Sequence, residues 1–305
     1  MSQDEWVEPR GPHVPGAITR IPIAVWPFLA LTTLAVYGRY VDFANLPDGS
    51  ADLLAIAVAS VPSVVAPLLG AALYLRHPEA HRTLPALTFG CVLFAAATAV
   101  DALRGPVLGS LALFPGDFDP SHPAVMGYGI VQGLVGVFAA TYLALGLGDA
   151  RRVDDRVGAR GLLVALALLA IVLPLVSGFS VLSVAEPALV TIAVVIQILG
   201  SLALVFLGWM ALQGWAAGEE PRRAWALASV GAFAQLAVGL LITLLNLLGW
   251  VTRSNEPLLI EFTRLLGLVL AAGWVALLAA FWLGLPAESG PAKVEDAEGR
   301  REPSL

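Results

Sequence analysis

The sequence predicts an all-α fold, a polytopic transmembrane bundle of about eight helices with both termini on the cytoplasmic side. Three observations predict it. The mean hydropathy is +0.82, with 58% hydrophobic and 13% charged residues, whereas a soluble domain carries about 25% charged residues. Eight separate apolar segments each approach the ~20 residues that cross a hydrocarbon core of ~30 Å. The third observation is the uneven distribution of the basic residues between alternate loops.

Residues 1–20 contain Pro9, Pro12, Pro15 and several acidic residues without apolar periodicity, and are expected to be a disordered cytoplasmic stretch. The transmembrane domain then covers residues 21–285. Its first span is Ile21–Gly38, whose apolar core is longer than a signal-peptide h-region and is followed by no small-x-small cleavage pattern before Asp42. The second, Leu53–Leu75, holds Pro62 and Pro67, so a kink is expected there. Leu84–Leu103 is the third, with Asp101 near its end, and Ala124–Gly148 is the fourth, with Gln132 and a Gly129/Gly133 GxxxG face. The fifth, Gly161–Val184, has Pro174 followed by Ser177, Gly178 and Ser180. A tight hairpin at Ala185-Glu186-Pro187 separates it from the sixth, Ala188–Trp215. Trp225–Trp250 and Leu258–Leu285 complete the set, and residues 286–305 are expected to be a second disordered cytoplasmic tail.

Orientation follows from charge, because cytoplasmic loops retain Lys and Arg. Placing the N-terminus inside puts 13 of the 17 basic residues on the inner side and leaves Arg39, Arg104, Arg253 and Arg264 outside. The outer segments then carry nine acidic residues and a formal charge of −5. Trp26, Trp209, Trp215, Trp225 and Trp282 fall near inner helix ends, Tyr37, Tyr40, Tyr128 and Trp250 near outer ones, and Trp274 in mid-span. Richness in Arg and Ala with a single lysine, Lys293, points to the plasma membrane of a prokaryote with a high-GC genome.

Several chemistries are excluded. All four histidines, His13, His77, His81 and His122, lie outside the spans, so no paired axial ligands hold a haem in the bundle. No span contains lysine, and Walker A, HExxH and GxSxG motifs are absent. Cys91 is the single cysteine, so there is no intramolecular disulfide. The arginines form no dense patch, which argues against nucleic acid. Gly146-Leu147-Gly148-Asp149 resembles the GxGD string of intramembrane aspartyl proteases, which need two carboxylates at one depth. The other span aspartate, Asp101, sits near the opposite helix end, and a helix-ending glycine with a solvated charge explains the string. His77 and His81 have metal-ligand spacing, but Pro78 between them reads as a solvated loop. No cofactor or metal is expected.

The candidate polar path consists of Gln132, Gln197 and Gln235 near mid-depth, Asp101 and Arg264 near the outer ends, and the kink positions Pro62, Pro67, Pro174 and Ser177. Mid-span amides either bridge helices or line a cavity. Arg39/Asp42, Asp101/Arg104 and Glu261/Arg264 are opposite charges at i, i+3, a spacing that allows local pairing. The kinked second and fifth spans suggest a cavity between them, walled by at least one of the three glutamines. The leading expectation is a permease-like transporter, or a subunit of one, for a cationic or neutral solute. A non-enzymatic membrane partner, sensor or assembly subunit is the alternative, and an enzyme acting on lipid-linked substrates a further one. Expected partners are the lipid bilayer and either another membrane protein or a second copy of the chain.

Overall fold

The computed structural model describes residues 25–44, 84–111, 122–151, 160–181, 186–247 and 257–283, together with Ser63, Val64, Pro67, Leu68 and Ala71, which are helical. Most of the expected second span, both tails, and Pro62, His77 and His81 lie outside the described residues. So do the side chains of Asp42, Asn246, Glu261 and Arg264.

All regular structure among the described residues is helical: α1 Trp26–Ala44, α2 Pro85–Ala102, α3 Arg104–Ser110, α4 Pro123–Ala150, α5 Arg160–Val181, α6 Pro187–Ala216, α7 Arg222–Leu247 and α8 Pro257–Trp282. Proline opens α2, α4, α6 and α8, where its fixed φ suits the first turn and its missing N–H removes a donor that would be unpaired anyway. The His122 imidazole caps α4 by accepting from the Ala124 N–H at 3.2 Å. Gly218, at φ 73°, ends α6, and the Glu219 N–H turns back onto the Gly214 carbonyl at 3.1 Å.

Pro85–Ala102, Pro123–Ala150, Gly161–Gly178, Pro187–Ala216 and Arg222–Leu245 are each long and apolar enough to cross a membrane, and α8 contributes the shorter apolar stretch Leu265–Phe281. The Gly161–Gly178 window has a mean hydropathy of 2.5, yet only 17% of it is buried. Leu162, Val164, Leu168 and Val172 stand exposed along it. Such a surface is at home against acyl chains, where apolar side chains have no water to avoid.

Helices α2, α4, α6, α7 and α8 pack in that order, each against the next. Phe94 of α2 and Trp274 of α8, with ring centroids 4.1 Å apart, close them into a ring. Helix α5 lies outside against α6 and α7, and α1 lies outside against α2 and α3. α1 and α2 run in the same direction, since Phe28 clusters with Ala95 and Ala35 with Ala99 and Ala102. Glycine sets the closest helix approaches. A Cβ on Gly146 would strike the Leu87 backbone, and one on Gly90 would come within 2.8 Å of the Leu143 nitrogen, which locks α2 to α4. Gly231 and Gly273 do the same for α7 and α8, where a Cβ on either would meet the other's carbonyl oxygen at 2.7 and 3.2 Å.

The largest core cluster fills one half of the ring with Leu84, Leu87, Leu143, Leu147, Leu207, Trp225, Leu277 and Phe281. Trp225 and Trp209 are buried rather than interfacial, whereas Trp26 and Trp215 are exposed. Gly214 makes the room for Trp225, since a Cβ there would touch the indole ring at 2.5 Å.

Candidate functional site

The other half of the ring is hollow. A cavity of about 490 Å³ lies between α2, α4, α6, α7 and α8. One wall is a helical stripe of α4 that includes Gly129, Gly133, Gly136 and Ala140, and the facing wall of α6 includes Gly200. A Cβ on Gly129 or Gly136 would have nothing within 4 Å, so these glycines create open space rather than a helix contact. Phe94, Leu143, Leu207, Trp274 and Leu277 line the cavity where it meets the packed half.

Polar groups on the wall are few. Gln197 and Ser201 come from α6, Gln235 from α7 and the Trp274 indole from α8, and among the described residues no charged side chain lines the cavity. The Gln197 amide nitrogen donates to Thr243 Oγ1 at 2.5 Å, and the Thr243 hydroxyl in turn donates to the Gly239 carbonyl at 2.8 Å. The Gln235 amide nitrogen donates to the Leu270 carbonyl at 3.0 Å. Each amide thus ties two helices together while facing the hollow, α6 to α7 in one case and α7 to α8 in the other.

Two polar clusters mark the ends of the bundle. One turn beyond Ala97, Asp101 accepts from Arg39 Nη2 at 2.6 Å and from Gln132 Nε2 at 2.8 Å, while Arg39 also donates to Ser63 Oγ at 3.0–3.1 Å. The Tyr128 hydroxyl donates to the Val100 carbonyl beside them. At the opposite end, Arg151 closes α4, donates to Gln213 Oε1 at 2.5 Å and lies 3.9 Å from Glu219 Oε1. Glu219 is 96% buried, so this is an ion pair largely out of water.

Of the residues singled out in the sequence, the structure brings Gln197 and Gln235 to the cavity wall. Gln132 faces α2 instead and joins Asp101. Pro67, Pro174 and Ser177 are buried and do not line the cavity, which lies on the far side of α6 from α5. Pro62 and the Arg264 side chain lie outside the described residues. Asp149 is exposed at the Arg151 end of α4, at the other end of the bundle from Asp101. Sequence reasoning missed Phe94, Met126, Gly136, Gly200, Ser201 and the cavity-facing role of Trp274. A partial signal exists in the run of small residues at helical spacing, Gly129, Gly133, Gly136 and Ala140, which reads equally as a close-packing face.

No protein-family model, curated protein or solved structure matches this chain. Function is therefore read from the site itself.

Proposed function

We propose that the protein is an eight-span permease-type membrane protein, with both termini cytoplasmic, that takes up a small neutral solute in the cavity of the helix ring. The observation that carries this reading is the cavity itself. Its ~490 Å³ lies within the ~300–1,000 Å³ of pockets that hold small organic ligands. A neutral solute is favoured over a cation because no carboxylate of the described residues lines the wall, and an unpaired charge in so apolar a space carries a large desolvation cost. The span count is supported by the parallel course of α1 and α2, since a second span over Leu53–Leu75 would return the chain between them. On this orientation the cavity occupies the outer half of the bundle and the Leu147–Trp225 core the cytoplasmic half. The packed half favours one second reading, a membrane sensor that binds the same solute without passing it.

Single cysteines in a Cys91→Ala background test the reading. A cysteine replacing Ser201 should react with a small neutral thiol reagent applied from outside, as should an exposed control replacing Ser110, while one replacing Leu147 stays inert. An unreactive Ser201→Cys beside a reactive Ser110→Cys would mean a closed cavity and would end the permease reading. Uptake of the solute into proteoliposomes separates permease from sensor.

A further inference from the structure

We propose that the occupant of the cavity is a neutral, mainly apolar molecule that carries a hydrogen-bond donor, such as an alkylphenol, an alcohol or a heteroaromatic N–H. The donor would be received by one of two amide oxygens, that of Gln197 or that of Gln235, whose anchor points on α7, Thr243 and Gln235, lie about 12 Å apart along the helix. This inference rests on the cavity being the solute site, and it names the chemistry that the site selects.

The hydrogen-bond inventory carries the argument. The Leu270 carbonyl can only accept, so the Gln235 amide must present its nitrogen there and turn its oxygen away. The Thr243 hydroxyl spends its proton on the Gly239 carbonyl, so it too can only accept, and the Gln197 amide is oriented in the same sense. Neither amide oxygen has a protein partner among the described residues. Gln235 is only 5% exposed, yet its oxygen is not sealed in the core, and Gln235 is part of the cavity wall. An acceptor left in an apolar space costs free energy until a donor reaches it, so an occupant with an O–H or N–H is favoured over its donor-free analogue.

The rest of the wall sets the body of the molecule. Phe94, Ile130, Val137, Ile196 and Leu204 offer dispersion contact and no polar group, and Trp274 adds its aromatic ring. Asp101, one turn outward from Ala97, is already paired with Arg39 and Gln132 and so does not call for a cationic head.

The test uses the full chain in lipid nanodiscs and a matched pair of probes, 4-butylphenol and its methyl ether 4-butylanisole, with empty nanodiscs correcting for lipid partition. The parent should bind the phenol about tenfold more tightly than the ether, the ratio expected for one net hydrogen bond. One of Gln197→Met and Gln235→Met should move that ratio towards one, and both should leave the ether's affinity within about twofold. Gly136→Leu, which projects into the open space, should remove binding of both probes. Equal binding of phenol and ether by the parent, abolished by Gly136→Leu, would overturn the donor inference and leave the cavity reading standing. A tenfold ratio that persists in both Met variants would also overturn it. Binding of neither probe, or binding indifferent to Gly136→Leu, would overturn the cavity reading and this inference with it. If Gln235→Met disturbs the α7–α8 contact and fails to fold, Gln235→Asn, which keeps the amide but draws it back from the wall by one methylene, takes its place beside Gln197→Met.

Discussion

Asp101 and Arg39 meet because α1 and α2 run parallel, with Gly38 backed against the Ala102 carbonyl, so the guanidinium lies level with a carboxylate on the neighbouring helix. Arg39 is only 12% exposed, whereas Asp101 is 45% exposed. Asp101→Ala should therefore lower stability by about 1–3 kcal/mol, as expected when a charge-assisted bond to a mostly buried cation is lost. Adding Arg39→Met should recover part of that loss, which thermal denaturation of the four variants in one cycle measures. Arg151 presents a stronger case, because its partner Glu219 is almost wholly buried. Arg151→Met should cost about 1–3 kcal/mol by removing the bond to Gln213 and the cation beside a buried carboxylate, and Glu219→Gln in the same chain should recover part of that loss. Both pairs show where reading by residue spacing stops. The i, i+3 spacing of Asp101 and Arg104 suggests a pair on one helix, but the two fall in α2 and α3, and such spacing is blind to Arg39, which is distant in sequence and adjacent in space. Arg151 reads in the sequence as one more loop arginine, and only the fold of the α6–α7 turn around Gly218 brings Glu219 to it.

At the scale of helices, glycine takes two opposite roles that the sequence does not distinguish. Gly146 lies against the Leu87 backbone, which cannot move aside as a side chain can. Gly146→Ala should therefore separate α2 from α4 and destabilise the protein by about 1–3 kcal/mol. Gly136 sits on the same helix with no neighbour within 4 Å of the added methyl group. Gly136→Ala should be neutral or stabilising by about 0.5–1 kcal/mol through helix propensity, and the contrast between the two variants is read by denaturation in one detergent. The Gly129/Gly133 pair, a GxxxG by pattern, is divided between these roles: Gly129 borders open space, and a Cβ on Gly133 would meet Ile196 at 2.7 Å. Helix positions themselves were far more legible. Apolar length and opening prolines place α2, α4, α5, α6, α7 and α8 within a few residues of their expected ends, because those signals are local. The short helix α3 was not foreseen, since Arg104–Ser110 contains Gly105 and Pro106 and has no run long enough to cross a bilayer.

Across the whole molecule, the class was legible in hydropathy alone, because an all-helical chain with long apolar helices is what composition and segment length require. The ring and its cavity were not legible, since hydropathy does not say which apolar face meets lipid and which meets another helix. The proline-containing spans drew attention to Pro67 and Pro174, which are buried, while the hollow lies among helices that have no proline beyond their first turn. The proposed orientation makes a direct prediction: reporter fusions after Asp155 and after Leu305 should signal cytoplasm, and one after Pro115 the exterior. An exterior signal at Leu305 would refute the eight-span count. The ring also has a mechanical property. Four of its joints run along packed helix pairs, and glycine clamps two of them backbone to backbone. The fifth, between α2 and α8, has no glycine clamp among the described residues and includes the Phe94–Trp274 ring contact. Stress applied sideways by the surrounding lipid, through acyl-chain length or curvature, should be felt first at this unclamped seam. The hollow should consequently swell or shrink with bilayer thickness, so its volume would belong to the host membrane as much as to the protein.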